Sequence, residues 1–173
     1  MATVDNEHRA YVLAHGEGRV IAVPSAGGRL TMKAEGHQTG GAITLYESRH
    51  EPRATGPARH YHERYTELFY VLEGTYEFVL GEEVHLAPAG STVVIPPGTV
   101  HAFRNAADAP GRLLIMVLPG GFEGFFDASK DLASPMDDAV RWREVNERWD
   151  AHVVGPPLQE RPRGQNEGAG LGP

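Results

Sequence analysis

Residues 60–74 read HYHERYTELFYVLEG, and residues 90–105 read GSTVVIPPGTVHAFRN. In a strand, side chains two apart point to the same side, so His60 and His62 project into one space. An imidazole pair at that spacing suits a divalent metal. Glu67 opens the next strand-like run after a short connection, and its carboxylate can swing onto the same ion. Phe69 and Val71 share its face, and Gly74 supplies the following turn. In the second stretch, Gly90 and the Pro96-Pro-Gly98 turn bracket Ser91–Ile95 and reverse the chain. His101 sits just past that turn as a third imidazole. Phe103 shares its face, and Asn105 is placed to tie the turn by side-chain hydrogen bonds. The candidate metal ligands are therefore His60, His62, Glu67 and His101. Phe69, Val71 and Phe103 are candidates for the apolar wall of a substrate pocket.

Working outward, the chain reads as short strands broken by turns. Arg59–Glu63, Thr66–Leu72, Thr75–Leu80, Glu83–Ala87, Thr92–Ile95, Val100–Arg104 and Arg112–Leu118 all carry β character. Glu73-Gly74 and Leu80-Gly81 read as tight hairpins. Upstream, Tyr11–His15, Arg19–Val23, Arg29–Ala34 and Gly41–Tyr46 are further candidates, and Glu47 to Gly56 reads as a loop. So many short strands at this spacing predict a sandwich or barrel.

Helix is expected only late. Phe122–Ser129 suits one short helix. Ser134-Pro135 suits the start of a longer one, with serine as cap, proline at the first position and Asp137 and Asp138 at the positive end of the dipole. Ala139, Trp142, Val145 and Trp149 fall on one face, and Glu144 and Arg148 form an i,i+4 pair on another. The helix should end near Asp150–His152. The expected organisation is an arm of N-terminal strands over 1–40, a barrel core over 41–119, helices over 120–154, and a flexible Gly/Pro-rich tail over 155–173.

Composition narrows the chemistry. The 173 residues suit one domain and contain no cysteine, which excludes disulfides, zinc-thiolate sites and thiol nucleophiles. Any metal must be held by nitrogen and oxygen. The net charge of −7 is mixed along the chain without a basic block, so nucleic acid is not an expected partner. MATVDNEHRA lacks an apolar signal region, and the longest apolar run, Leu113 to Leu118, is far too short to span a bilayer. The expectation is a soluble cytoplasmic protein.

The two opening stretches resemble the paired motifs of the cupin superfamily. The first motif is His-x-His, four residues, Glu, six residues, Gly; His60, His62, Glu67 and Gly74 fit it. The second is Gly, five residues, Pro-x-Gly, two residues, His, three residues, Asn; Gly90, Pro96, Gly98, His101 and Asn105 fit it throughout. One departure is Ala54, where the family often has a glycine; Gly56 lies nearby. The resemblance covers residues 40–118. It implies an all-β cupin jelly-roll barrel with a short C-terminal helical segment. The implied ligands are His60, His62, Glu67 and His101 on one divalent metal: iron, manganese, nickel, cobalt or copper, with zinc also accepted. It further implies a homodimer in which an early strand crosses to the partner's sheet. Leu118-Pro-Gly-Gly-Phe-Glu-Gly-Phe-Phe126 is similar to the segment after the barrel in single-domain cupins of the quercetin 2,3-dioxygenase type. Those enzymes cleave a flavonol with O2, and the glutamate accepts the substrate's hydroxyl proton, a role that falls here to Glu67. A dioxygenase acting on an enol or phenol ranks first. A non-oxidative cyclase or isomerase ranks second, and a small-molecule-binding cupin third.

Overall fold

Along Gly111–Leu118 every second side chain is buried, and the same beat runs through Thr66–Glu73 and Thr44–His50. Strands of this kind each present one apolar face, and two such sheets bury their faces against each other. The structure is a computed structural model and describes residues 9–23, 28–132, 135 and 138–159. In chain order the elements are β1 (Arg19–Val23), β2 (Gly28–Ala34), a 3-10 turn at Gly36–Gln38, β3 (Thr44–His50), β4 (Ala58–Tyr61), β5 (Thr66–Glu73), β6 (Thr75–Leu80), β7 (Glu83–Pro88), β8 (Thr92–Ile95), β9 (His101–Asn105), β10 (Gly111–Leu118), α1 (Glu123–Ser129), α2 (Ala139–Arg148) and β11 (His152–Pro157). One antiparallel sheet runs β1-β2-β3-β10-β5-β8, and the other runs β11-β4-β9-β6-β7. This is the expected all-β barrel with a short helical segment near its end.

Between the sheets lie Phe69, Val71, Tyr76, Phe78, Leu113, Ile115 and Val117, all buried. Each large apolar side chain so buried contributes roughly 1.5–3 kcal/mol. Register then sets what reaches the mouth of the barrel. Val117 lies opposite both Thr44 and Glu67, and Glu67 opposite Ile95, so one inward row carries a carboxylate among apolar neighbours. The tight turn at Gly74 takes φ +86, a region glycine enters without strain.

Several elements differ from expectation. Tyr11–His15 is not a strand; Tyr11 reaches β2 through its hydroxyl, which donates to the Lys33 carbonyl at 2.7 Å. Residues 47–50, expected in a loop, continue β3, because Ser48 and His50 are polar side chains turned inward and so conceal the alternation. Asn105 does not tie the Pro96–Gly98 turn. Its amide donates to Glu51 and Ala109 carbonyls, and its oxygen accepts from Ala107 N–H. The second helix begins at Ala139; Ser134 and Asp137 lie outside the described residues, and Asp138 makes no side-chain cap. It ends at Arg148, whose guanidinium lies 4.7 Å over the Trp149 ring. Residues 152–157, divided in expectation between helix and tail, form β11. Its prolines are tolerated because the strand lies at a sheet edge.

Candidate metal centre

Two sheets meet at the site. β4 and β9 bring His60 and His101 directly opposite each other, with ring centroids 4.3 Å apart. His62 follows β4, and β5 of the facing sheet supplies Glu67. The Pro96–Gly98 turn is fastened to this group, since Gly98 N–H donates to the His62 carbonyl at 2.6 Å. One ligand atom from each of His60, His62, Glu67 and His101 lies within 4.8 Å of every other. The four residues singled out in the sequence are therefore brought together.

Each imidazole is already set for ligation. Nδ1 of His60 lies 2.8 Å from the Ala58 carbonyl, Nδ1 of His62 lies 2.7 Å from that of Asp150, and Nδ1 of His101 lies 2.9 Å from that of Thr99. A carbonyl only accepts, so each Nδ1 must carry a proton, and each Nε2 is left to face the site. Such outer partners are what hold metal-ligating imidazoles in orientation.

The inner atoms are left without hydrogen-bond partners. His101 Nε2 approaches Glu67 Oε2 to 2.7 Å, and His62 Nε2 approaches it to 3.7 Å. Yet Nε2 of His62 and of His101, and Oε2 of Glu67, are buried without a hydrogen-bond partner among the described residues. The 2.7 Å approach pairs His101 with the Glu67 carboxylate as an ion pair, and it does not satisfy the inner atoms as a hydrogen bond. An orphaned buried polar atom is costly, and a cation among them would satisfy all of them.

The electrostatics agree. Burial alone would push the Glu67 carboxyl up, but the three imidazoles, His101 foremost, outweigh it and hold it down at about 2. Burial pulls His60 down to about 4, helped by neighbouring His101. Burial also opposes charge on His101, but Glu67 outweighs that effect and raises its pKa. Three imidazoles beside an ionised carboxylate make a nitrogen and oxygen donor set that fits a divalent transition metal.

Phe69 and Phe103, two residues along from Glu67 and His101, pack on each other at 5.5 Å and on Phe78, and Val71 lies in the same core. Above the site, Phe122 sits edge-on to His62 at 5.2 Å and stacks on Phe125 at the same distance, while Tyr65 also contacts His62. Phe122 and Phe126 are buried as packing. Tyr61 turns away from the donors and stacks on His152. Two features were missed. His50, expected in the loop from Glu47 to Gly56, is buried and bonded to Ser48 and Tyr76. Asp150 was read only as a helix end, and no local signal ties it to His62, 88 residues earlier.

Comparison with known proteins follows the same line. The cupin domain family matches residues 47–117. The chain is 33% identical over 117 residues to the quercetin 2,3-dioxygenase of Bacillus subtilis (strain 168), a stretch that is 67% of this chain and 33% of that protein. It thus spans about a third of that relative's length. Among solved structures, KdgF from Halomonas sp. aligns with a TM-score of 0.58 at 19% identity, covering 67% of this chain and 99% of that one. The Streptomyces nucleoside dehydratase Pac13 aligns with a TM-score of 0.52 at 19% identity, covering 67% and 88%. At such identities the likeness is one of fold. Matched motifs, barrel topology and the domain match agree that residues 47–117 of this chain are a cupin domain.

Proposed function

We propose that His60, His62, Glu67 and His101 hold one divalent transition metal, and that the protein is a quercetinase-like dioxygenase acting with O2 on an enol or phenolic small molecule. The observation carrying this reading is the convergence of three preset imidazole nitrogens and one ionised carboxylate, with three of the four inner atoms buried and unpartnered among the described residues. The relative that shares 33% identity over two thirds of this chain, a quercetin 2,3-dioxygenase, supports the oxidative choice. When bound, the metal supplies a Lewis-acidic centre with coordination positions left open by four protein donors.

The chain's own groups then divide the work. Glu67 accepts the proton of the substrate hydroxyl. Phe69, Phe103 and Val71, buried in the core beside the donors, would form the apolar floor of the substrate pocket in this reading. In the runner-up reading, a cyclase or isomerase, Glu67 moves the same proton without O2.

Metal analysis of tag-free protein purified without chelators is the first test. We expect near-stoichiometric iron, manganese, nickel, cobalt or copper, and a sharp loss in His62→Ala. Unchanged metal content in that variant would sink the ligand assignment. Flavonols and related enols are then turned over with an oxygen electrode and in an anaerobic chamber. O2 uptake matching substrate loss supports the dioxygenase; equal turnover without O2 replaces it with the cyclase or isomerase.

A further inference from the structure

Two of the three imidazoles are held by their own chain neighbourhood: the acceptors of His60 and His101 are the carbonyls two residues earlier, on Ala58 and Thr99. His62 is held from elsewhere. Its Nδ1–H donates at 2.7 Å to the carbonyl of Asp150, beyond the cupin domain and 88 residues later. Asp150 is itself built with care. It adopts φ +57, in the left-handed region, and only 4% of its surface is exposed. Its Oδ2 accepts from the N–H groups of Glu63 at 3.0 Å and Arg64 at 2.8 Å, and its Oδ1 lies 2.8 Å from His152 Nε2.

Glu63 and Arg64 directly follow His62. One residue therefore grips both the ligand's ring, through its carbonyl, and the backbone leaving the ligand, through its carboxylate. A left-handed turn after a helix asks only for glycine, which enters that region at no steric cost. The buried carboxylate is extra to that need, and two of its three bonds go to the His62 segment.

We infer that Asp150 is a positioning residue for the metal centre. It fixes the tautomer and direction of His62 from the C-terminal segment, so that metal binding and the docking of residues 149–157 on the barrel are coupled. The inference rests on the reading of the four donors as a metal site. Coupling of this kind is reciprocal: the docked segment raises metal affinity, and the bound ion holds the segment down.

The test is titration of cobalt(II) into the full chain, read by affinity and by the d–d absorption bands. Asp150→Gly keeps the left-handed turn and the carbonyl while removing the carboxylate. Asp150→Asn keeps an acceptor for the two amides. We expect Asp150→Gly to weaken cobalt binding about tenfold or more and to shift the bands, and Asp150→Asn to stay close to wild type. Leu30→Ala, a core truncation in β2, should lower the unfolding midpoint and leave both readouts unmoved. Wild-type affinity and bands in Asp150→Gly overturn the inference. If that variant does not fold, hydrogen exchange on the wild-type chain decides: cobalt should slow exchange across residues 149–157, and unchanged exchange there overturns it. A wild-type chain that takes up no cobalt would instead sink the metal reading itself, and the inference with it.

Discussion

His50 sits in the core with its ring nitrogens 3.1 Å from Ser48 Oγ and 2.9 Å from the Tyr76 hydroxyl. Burial pulls its pKa from 6.5 down to about 4. Between those pH values the unfolded chain binds a proton that the folded chain refuses, so stability falls as pH drops through the window. The loss is on the order of 3 kcal/mol for a shift of this size. Urea unfolding of metal-stripped protein at pH 7 and pH 4.5 should show that decline, and His50→Asn should remove part of it. His60 keeps the remainder, since it is depressed over the same range. An equal decline in the variant would show that His50 does not titrate as its surroundings require. At this scale the four ligands were legible because their spacing is local, two along a strand or just past a turn. His50 was not legible: Ser48-Arg-His50 looks like loop sequence until β10 and β2 are seen beside it.

The helical segment that follows Phe122, whose ring packs on His62, is held by specific fits. Glu123 accepts from Gly36 N–H, Gly121 N–H and the Thr44 hydroxyl, tying the start of α1 to β3 and to the turn before it. Gly124 faces the Trp149 indole so closely that an added Cβ would lie 2.6 Å from Nε1. Gly124→Val should therefore force α1 and the end of α2 apart and cost about 1–3 kcal/mol, a typical overpacking penalty. Urea denaturation followed by tryptophan fluorescence checks both parts, and an unchanged midpoint would mean that the indole swings aside freely. The strands from β4 to β10 were legible to within a residue or two, because apolar alternation and Gly or Pro turns mark them. β11 was not, because His152-Val-Val-Gly-Pro-Pro157 pairs with β4, some ninety positions earlier, through a ladder broken by two register shifts.

Across the whole molecule, the donors come from both sheets, so the ion proposed here would bridge them. A ligand that binds only the folded state stabilises it by mass action, about 2.7 kcal/mol at a hundredfold excess over Kd. Thermal unfolding should therefore rise with cobalt concentration and fall with a chelator. A midpoint indifferent to both would argue that no ion bridges the sheets. Among the described residues, no helix is long and apolar enough to cross a membrane. The barrel as a class was readable from the number and spacing of its strands, whereas the attachment of the C-terminal segment was not, since long-range pairing leaves no periodic mark in sequence. That attachment has a consequence in time. At synthesis rates of about 5–20 residues per second, the 88 residues between His62 and its acceptor take roughly 4 to 18 s to translate. For that interval the nascent chain displays its ligand motif with one imidazole unanchored, so the pocket matures only after the segment that carries Asp150 has been made.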